Sequence, residues 1–570
     1  MDKSKSASIN TGGARESDLV NDGDPGTLCA GNYWAVGAAE QTYQANAFKP
    51  AEDQATNKPE NLTYTPARVM KYVYNDYSGS AADDYSVFCY FTDWAQYDDR
   101  HGDGPTEPGG YATGGRSGDI MRLEDSPFDK VVIGFAGIIG NQTTKEMKAT
   151  VDKAAADFGI ADSSGDVPNH ENKVTFLDGW GDVLSYLNCG FNGWKSDDVE
   201  GSFNQENAQG VLGGLAKLQA SGKTIALSIG GWSLSCPFSA LCADPEKRHI
   251  FIESLSRILT AFPMFTHLDL DWEYPGSEGA GNPYDSKDGK NFASLIKEIK
   301  DRYSHVGISI AISADIAKIK AANIPALITA GVDGINLMSY DLFTLNLNDG
   351  GNLSHHTNLH RESNDRYSRY SIEEAVDYLL SKDGGQVDNP KKIFIGYAGY
   401  SRSSRVTDLH QVSPLVGTYK ASNDQPTVGS FEASVTEWPD IIYNYLNLED
   451  KDNPAFNDFK LYTDNVCNAD FLYNEKSRVF MSIDTPRSVR EKARYVKQKG
   501  LGGLFIWSGD QDNGLLTNAA CEGLGRIAAE GGIDMQRFYF EGANEGGDGH
   551  VPELPPEDQP REGPCNECQS

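Results

Sequence analysis

No apolar run in this 570-residue chain approaches the ~18 residues that a membrane-spanning helix needs, so no membrane span is expected. Basic residues are few. Fifty Lys and Arg stand against 82 Asp and Glu, giving a formal net charge of −32 and a pI near 4.6. That balance disfavours nucleic acid and anionic membrane surfaces as partners, whereas an uncharged substrate is indifferent to it. Cysteine is sparse, with nine in all. Cys236 and Cys242 are near enough in sequence to pair, and buried free thiols fit as well. Cys565 and Cys568 form a lone C-x-x-C without the second half of a zinc motif, so neither a metal nor a cofactor is expected. A phosphate-binding G-x-x-x-x-G-K-[ST] loop is missing, and the Gly-Gly pairs read as turns. The first ten residues are polar and lack the apolar core of a signal peptide.

What is present is concentrated in one stretch, Phe265-Thr266-His267-Leu268-Asp269-Leu270-Asp271-Trp272-Glu273-Tyr274-Pro275-Gly276. A strand turns successive side chains to opposite faces, so Asp269, Asp271 and Glu273 share one face at roughly 7 Å spacing. Leu268, Leu270 and Trp272 take the other face. Three carboxylates in a shielded row cannot all stay ionised. Repulsion and desolvation raise at least one pKa. Glu273, where the strand meets its loop, is the natural general acid, and the inner acids hold charge and pass a proton between them. A divalent-ion site is the competing reading, but Ca²⁺ favours a flexible oxygen-rich loop over a strand interrupted by Leu and Trp.

Elsewhere, short apolar runs alternate with amphipathic ones. Strands are expected at 86–91, 130–135, 224–229, 265–272, 307–313, 334–339, 392–397 and 503–507, near-continuously apolar as strands buried on both faces are. Helical patterns intervene at 211–218, 247–259, 292–303, 372–380 and 488–498. Eight β-α units imply an α/β fold of the (β/α)₈ TIM-barrel type, with active residues at the C-terminal strand ends. Those ends carry Ser228-Ile229-Gly230-Gly231-Trp232, Met338-Ser339-Tyr340-Asp341, Tyr397 to Arg402, and Trp507.

These residues, in this order, resemble family 18 glycoside hydrolases, the chitinases of bacterial type. The acidic run is similar to D-G-x-D-x-D-W-E, with Thr266 and His267 in place of the first Asp-Gly. The strand ends resemble S-x-G-G-W, M-x-Y-D, and a Tyr and Arg after the seventh strand; Tyr90 to Trp94 and Gly134-Phe135 agree as well. The resemblance spans about 85–525. It implies hydrolysis of chitin or chitooligosaccharides, with Glu273, Asp271, Asp269, Tyr340 and Asp341 in catalysis. Glu273 protonates the glycosidic oxygen, Asp271 orients the substrate acetamide, and Asp269, with Ser228 nearby, supports Asp271 through a shared proton. Trp507 floors the reacting subsite, and Trp232, Tyr400, Arg402, Met338 and Phe135 line the cleft. Replacing Thr266 by Asp is expected to alter the pH profile. His355, His356 and His360 lie in a loop where the family has structural hydrogen bonds, so they are not read as metal ligands.

The expected organisation is an N-terminal extension over 1–84, partly disordered and a candidate docking element; a barrel over 85–402 and 479–528; an α+β insertion over 403–478; and an acidic Pro/Gly-rich tail over 529–570. A further insertion is read at about 141–210. Similar chitinases without an evident signal occur in insecticidal toxin complexes. This implies a possible subunit role in such an assembly and a secreted protein exported by a route without a cleavable signal. A chitin-binding lectin that does not cut is the alternative, and an N-glycan endo-glycosidase of the same family is a third.

Overall fold

The computed structural model describes residues 72–78, 84–97, 118–160, 170–344, 350–361, 370–419, 426–427, 429, 432, 434–447, 455, 458–539 and 542. Of the docking element read over 1–84, residues 1–71 and 79–83 lie outside the described residues, as do Cys565 and Cys568 in the tail.

Eight parallel strands close on themselves: β1 (Ser86–Thr92), β2 (Lys130–Ile138), β3 (Thr224–Gly230), β4 (Phe265–Asp271), β5 (Gly307–Ser313), β6 (Gly334–Met338), β7 (Ile393–Ala398) and β8 (Gly503–Trp507). Each pairs with its neighbours in chain order, and β8 returns to β1 with Trp507 opposite Tyr90. The strands are almost wholly buried, as the unbroken apolar runs require. The helices sit outside, at Gly210–Ala220, Pro245–Ala261, Asp288–Arg302, Ile372–Leu380 and Pro486–Lys499. Pro245–Ala261 shows the local logic. Asp244 accepts from the Glu246 N–H, Pro245 occupies the first turn, and Phe251, Ile252, Leu255 and Ile258 form the buried stripe.

Two cores result. Leu268, Leu270 and Trp272 face the helical layer, where Trp272 stacks on Phe238 at 5.4 Å and 11°. Burying an aromatic side chain of that kind stabilises by about 4–6 kcal/mol before entropy is charged against it. Inside the barrel, Phe88, Tyr90, Val132, Ala226 and Phe505 pack together, with Phe88 stacked on Phe505 at 5.3 Å. The Lys130 ammonium lies 3.8 Å over the Phe88 ring, and burial lowers its pKa to about 8.

Between β7 and β8 the chain builds an antiparallel sheet from Arg402–Val412, Leu415–Tyr419, Phe459–Asp464, Ala469–Asn474 and Val479–Ile483, with Gly351–Asn352 added from the loop after β6. Phe343, Leu353, Val406, Phe471 and Phe480 fill its core. The sheet therefore continues beyond residue 478, where the sequence reading returned the chain to the barrel: Arg402 to Arg405 pair with Ser482 to Val479. The earlier insertion contributes helix Lys145–Asp157 and strand Val174–Thr175, which pairs antiparallel with the end of β2.

The two ends of the described chain are tied together. Tyr77–Ser78 pairs with Ile527–Ala528, and the buried Met535 and Phe538 pack on the main core. Within the span read as an acidic tail over 529–570, the segment 529–539 is thus an ordered element, because its two apolar side chains find a site beside Asn75 and Asn518. Cys236 and Cys242 stand as buried free thiols rather than a disulfide.

Candidate active site

The period-2 alternation of β4 turns Asp269 and Asp271 into the barrel, and both are buried. Register places Asp269 between Ser228 of β3 and Ser309 of β5. Both serines donate to it, at 2.8 and 2.6 Å, as do the Tyr90 hydroxyl at 2.8 Å and the Asn336 amide at 3.0 Å. Four donors from four other strands engage both Asp269 oxygens. These bonds anchor Asp269 at the floor of the site, below Asp271.

Asp271 is arranged differently. Its Oδ1 is buried without a hydrogen-bond partner. Burial, then the charges of Glu273 and Asp269, push its pKa well above the ordinary carboxylate range. Glu273, 8% exposed, lies just past the strand end. Burial raises its pKa to about 7; a hydrogen bond with Tyr274 and the Lys318 charge pull down, and the Asp341 charge pushes up. Its backbone is clamped: the Glu273 N–H donates to Ser235 Oγ at 2.9 Å, and that hydroxyl donates to the Gly231 carbonyl at 2.8 Å. The Gly230-Gly231 turn makes this possible. Gly230 has φ +113°, and a Cβ there would lie 2.2 Å from the Asp271 carbonyl oxygen.

Tyr340 and Asp341 follow β6, and Tyr400 and Arg402 follow β7. Arg402 Nε donates to Asp341 Oδ1 at 2.7 Å and the Tyr400 hydroxyl to the same oxygen at 2.9 Å. Desolvation in the cleft opposes ionisation of Asp341, but Arg402 and His356 together outweigh it and hold the carboxyl well below its usual range. Trp507, at the end of β8, stacks on Phe135 at 5.6 Å and 22°. Trp232 stands 53% exposed. A cleft of about 1150 Å³ collects Glu273, Asp271, Tyr340, Asp341, Trp507, Trp232, Tyr400, Arg402, Met338 and Phe135 in its lining. Asp269 and Ser228 lie beneath it, outside the lining.

Against this geometry, the model of "Glycosyl hydrolases family 18" matches residues 86–512. The chain belongs to glycosyl hydrolase family 18. A curated relative, "Chitinase 1" of Yersinia entomophaga, is 47% identical over 566 residues, covering 97% of this chain and 98% of its own. The "Chitinase" of Autographa californica nuclear polyhedrosis virus is 28% identical, covering 77% and 72%. Among solved structures, the chitinase fitted into the Yersinia entomophaga toxin complex superposes with a TM-score of 0.80 at 48% identity, covering 91% of this chain and 99% of that one. A Bacillus thuringiensis chitinase shares the fold at 20% identity, with a TM-score of 0.57 over 78% of this chain and 71% of that one.

Sequence reasoning gave no role to several residues around the acids, and Tyr90 entered it only through the resemblance of the segment Tyr90 to Trp94. Ser309, Asn336 and Tyr90 complete the shell of Asp269, and Ser235 sets the backbone of Glu273. The first three occupy inward positions of neighbouring strands, a signal that becomes readable once barrel register is known. Tyr274 and Lys318 reach Glu273 from the loop after β4 and from the short helix Ile316–Ala322 after β5. The three loop histidines do not converge. His355 Nε2 pairs with Asp464 at 2.9 Å, His360 Nδ1 with Glu373 at 3.0 Å, and His356 Nδ1 stands 3.9 Å from Asp341. His355, Asp464 and Cys467 do bring donor atoms within 4.8 Å of one another. The Asp464 oxygens are already taken by the N–H groups of Leu415, Val466 and Cys467 and by Ser413, which is the bonding of a turn anchor.

Proposed function

We propose that this hydrolase is a chitinase that cleaves β-1,4-linked N-acetylglucosamine polymers with retention, using the acetamide of the substrate as the nucleophile. The observation that carries the reading is the contrast among the cleft carboxyls. Glu273 holds a proton near neutral pH, Asp271 has an unsatisfied buried oxygen, and Asp341 is committed to Arg402. A retaining glycosidase with two carboxyls needs the second one free as a nucleophile. Here the unsatisfied acceptor suits an amide N–H. Asp271 accepts it, orients the 2-acetamido group, and stabilises the positive charge that develops as its oxygen attacks the anomeric carbon. An internal nucleophile carries a large effective concentration. Glu273 protonates the leaving oxygen and then deprotonates the incoming water. Tyr340 and Asp341 hold the distorted sugar, Trp507 supports its apolar face, and Trp232 and Arg402 contact neighbouring units.

Chitin oligomers of defined length, followed by NMR, test this. Release of the β anomer is expected first, and a fully deacetylated polymer should resist cleavage because it lacks the nucleophile. Glu273→Gln should lower turnover by about 10²–10⁴-fold while binding persists. Initial release of the α anomer excludes the mechanism, and tight binding without cleavage by the unaltered protein identifies a chitin lectin instead.

The chitinase fitted into the Yersinia entomophaga toxin complex favours a second, compatible reading: this chain is a subunit of such an assembly and is exported with it. Size-exclusion chromatography of material from the native source checks it. Co-elution with other chains is expected, and a stable lone monomer counts against it.

A further inference from the structure

Behind the ends of β6 and β7, outside the lining of the cleft, lies an ion pair to which the proposed chemistry gives no role. Lys492, on helix Pro486–Lys499, and Asp484, between that helix and strand Val479–Ile483, are both buried. The Lys492 ammonium donates to both Asp484 oxygens, at 2.8 and 2.7 Å, and its third donor goes to Thr357 Oγ1. From there the bonds run to two strand ends that carry cleft residues. The Thr357 hydroxyl reaches the Ser339 carbonyl at 3.0 Å, one residue before Tyr340. The Ala398 N–H, at the end of β7 and two residues before Tyr400, donates to Asp484 Oδ2 at 3.0 Å. Ser339 closes the circuit. Its hydroxyl donates to the Gly396 carbonyl and accepts from the Gly396 N–H, both at 2.8 Å.

Desolvating two charges offsets most of their attraction, so a buried pair is a poor source of net stability. What this pair supplies is fixed geometry, and the residue that needs it is Asp341. Asp341 has φ +57°, a left-handed conformation that costs free energy and persists only where the surroundings hold it. They hold it from both sides. Thr357 takes the Ser339 carbonyl before it, and the Leu342 N–H after it donates to the His356 carbonyl at 3.0 Å, in the same loop as Thr357. The carboxyl so aimed receives Tyr400 and Arg402, which follow Ala398 in the chain. We propose that Lys492 and Asp484 are a positioning pair that locks the ends of β6 and β7 together, so that Asp341 meets Arg402 and Tyr400 beside Tyr340. The inference rests on the proposed role of Tyr340 and Asp341 in holding the distorted sugar.

The test is a double-mutant cycle on kcat with a chitin oligomer, measured well below the unfolding midpoints. Lys492→Met keeps the side-chain length and removes the charge. It should lower kcat by about 10–10²-fold with little change in KM, because the contacts it loosens act on the sugar as it distorts. Asp341→Asn lowers kcat on its own, and in that background Lys492→Met should add less than about twofold, since the group it positions is already lost. Thr357→Val leaves both charges paired and should show the same loss in smaller measure, and Thr357→Ser should restore it. An unchanged kcat in both Lys492→Met and Thr357→Val overturns the proposal. Losses that multiply in full with that of Asp341→Asn overturn it too, because they mark the pair as structural alone. Should Lys492→Met misfold by circular dichroism, Thr357→Val and Thr357→Ser carry the same cycle.

Hydrogen–deuterium exchange reads the pair without substrate. In Lys492→Met, peptides carrying the Leu342 and Ala398 N–H groups should exchange about tenfold faster, with peptides of β2 and β3 unchanged; in Thr357→Val the Leu342 peptide alone should do so. Unchanged exchange at both places, or faster exchange throughout the barrel, overturns the proposal. Absence of cleavage by the unaltered enzyme, with that local exchange pattern present, defeats the chitinase reading alone.

Discussion

At the scale of single residues, the site works because neighbouring carboxyls are treated unequally. Asp269 receives four hydrogen bonds, Asp271 keeps an empty oxygen, and Glu273 is shielded enough to titrate at about 7. The sign of the pH effect follows. The folded-state pKa lies above that of an ordinary glutamate, so the acid form is present up to about pH 7 and kcat/KM should fall about tenfold per unit beyond it. Thr266 is the opposite case. It faces outward at the start of β4, exposed and bonded to His267 Nδ1 at 2.9 Å. Five residues of strand separate it from Asp271, about 16 Å, beyond the Debye length of roughly 8 Å at physiological salt. The expectation that Thr266→Asp alters the pH profile therefore loses its basis. Profiles of the two proteins should superimpose.

At the scale of elements, the pairing of β4 with β5 sets the site. His267 lies opposite Gly307, and a Cβ on Gly307 would come within 2.3 Å of His267 Cδ2. The missing side chain makes room for the imidazole at the base of the barrel, two residues before Asp269 and opposite the strand that carries Ser309. Gly307→Ala should cost about 1–3 kcal/mol of stability through overpacking. Thermal unfolding should show the midpoint fall, and the second substitution His267→Ala should recover most of the loss. Equal loss in the double variant would place the strain elsewhere.

At the scale of the whole molecule, the segment before β1 closes the fold together with the segment after β8. Asn75 accepts from the Ile533 N–H at 2.7 Å, donates to the Ile533 carbonyl at 3.0 Å, and donates its own backbone N–H to Asn518 Oδ1 at 3.0 Å. Asn75 is 3% exposed, so its loss leaves buried partners unsatisfied. Asn75→Ala should destabilise by about 1–3 kcal/mol and open the Ile527–Phe538 region to limited proteolysis. Turnover of folded enzyme should be unchanged, since none of these residues lines the cleft. The charge of −32 belongs to this scale as well. It leaves an uncharged polysaccharide unsteered, and the aromatic side chains of the cleft, Trp94, Trp232 and Trp507 among them, offer such a substrate apolar faces instead.

The chain by itself determined the barrel and its acidic row. Strand interiors buried on both faces must be apolar throughout, and period-2 alternation leaves Asp269, Asp271 and Glu273 no arrangement but a shared side. Gly307–Ser313 and Gly503–Trp507 match their expected bounds for that reason. Tertiary structure alone decided what surrounds those acids. Ser228, Ser309, Asn336 and Tyr90 are scattered over some 250 residues and become one shell only when barrel register aligns them. The packing of Met535 and Phe538, the extension of the antiparallel sheet to Ile483, and the seat of Lys318 over Tyr274 were decided in the same way. Local patterns encode which face a side chain takes; which distant side chains meet it is fixed only by closure of the sheet.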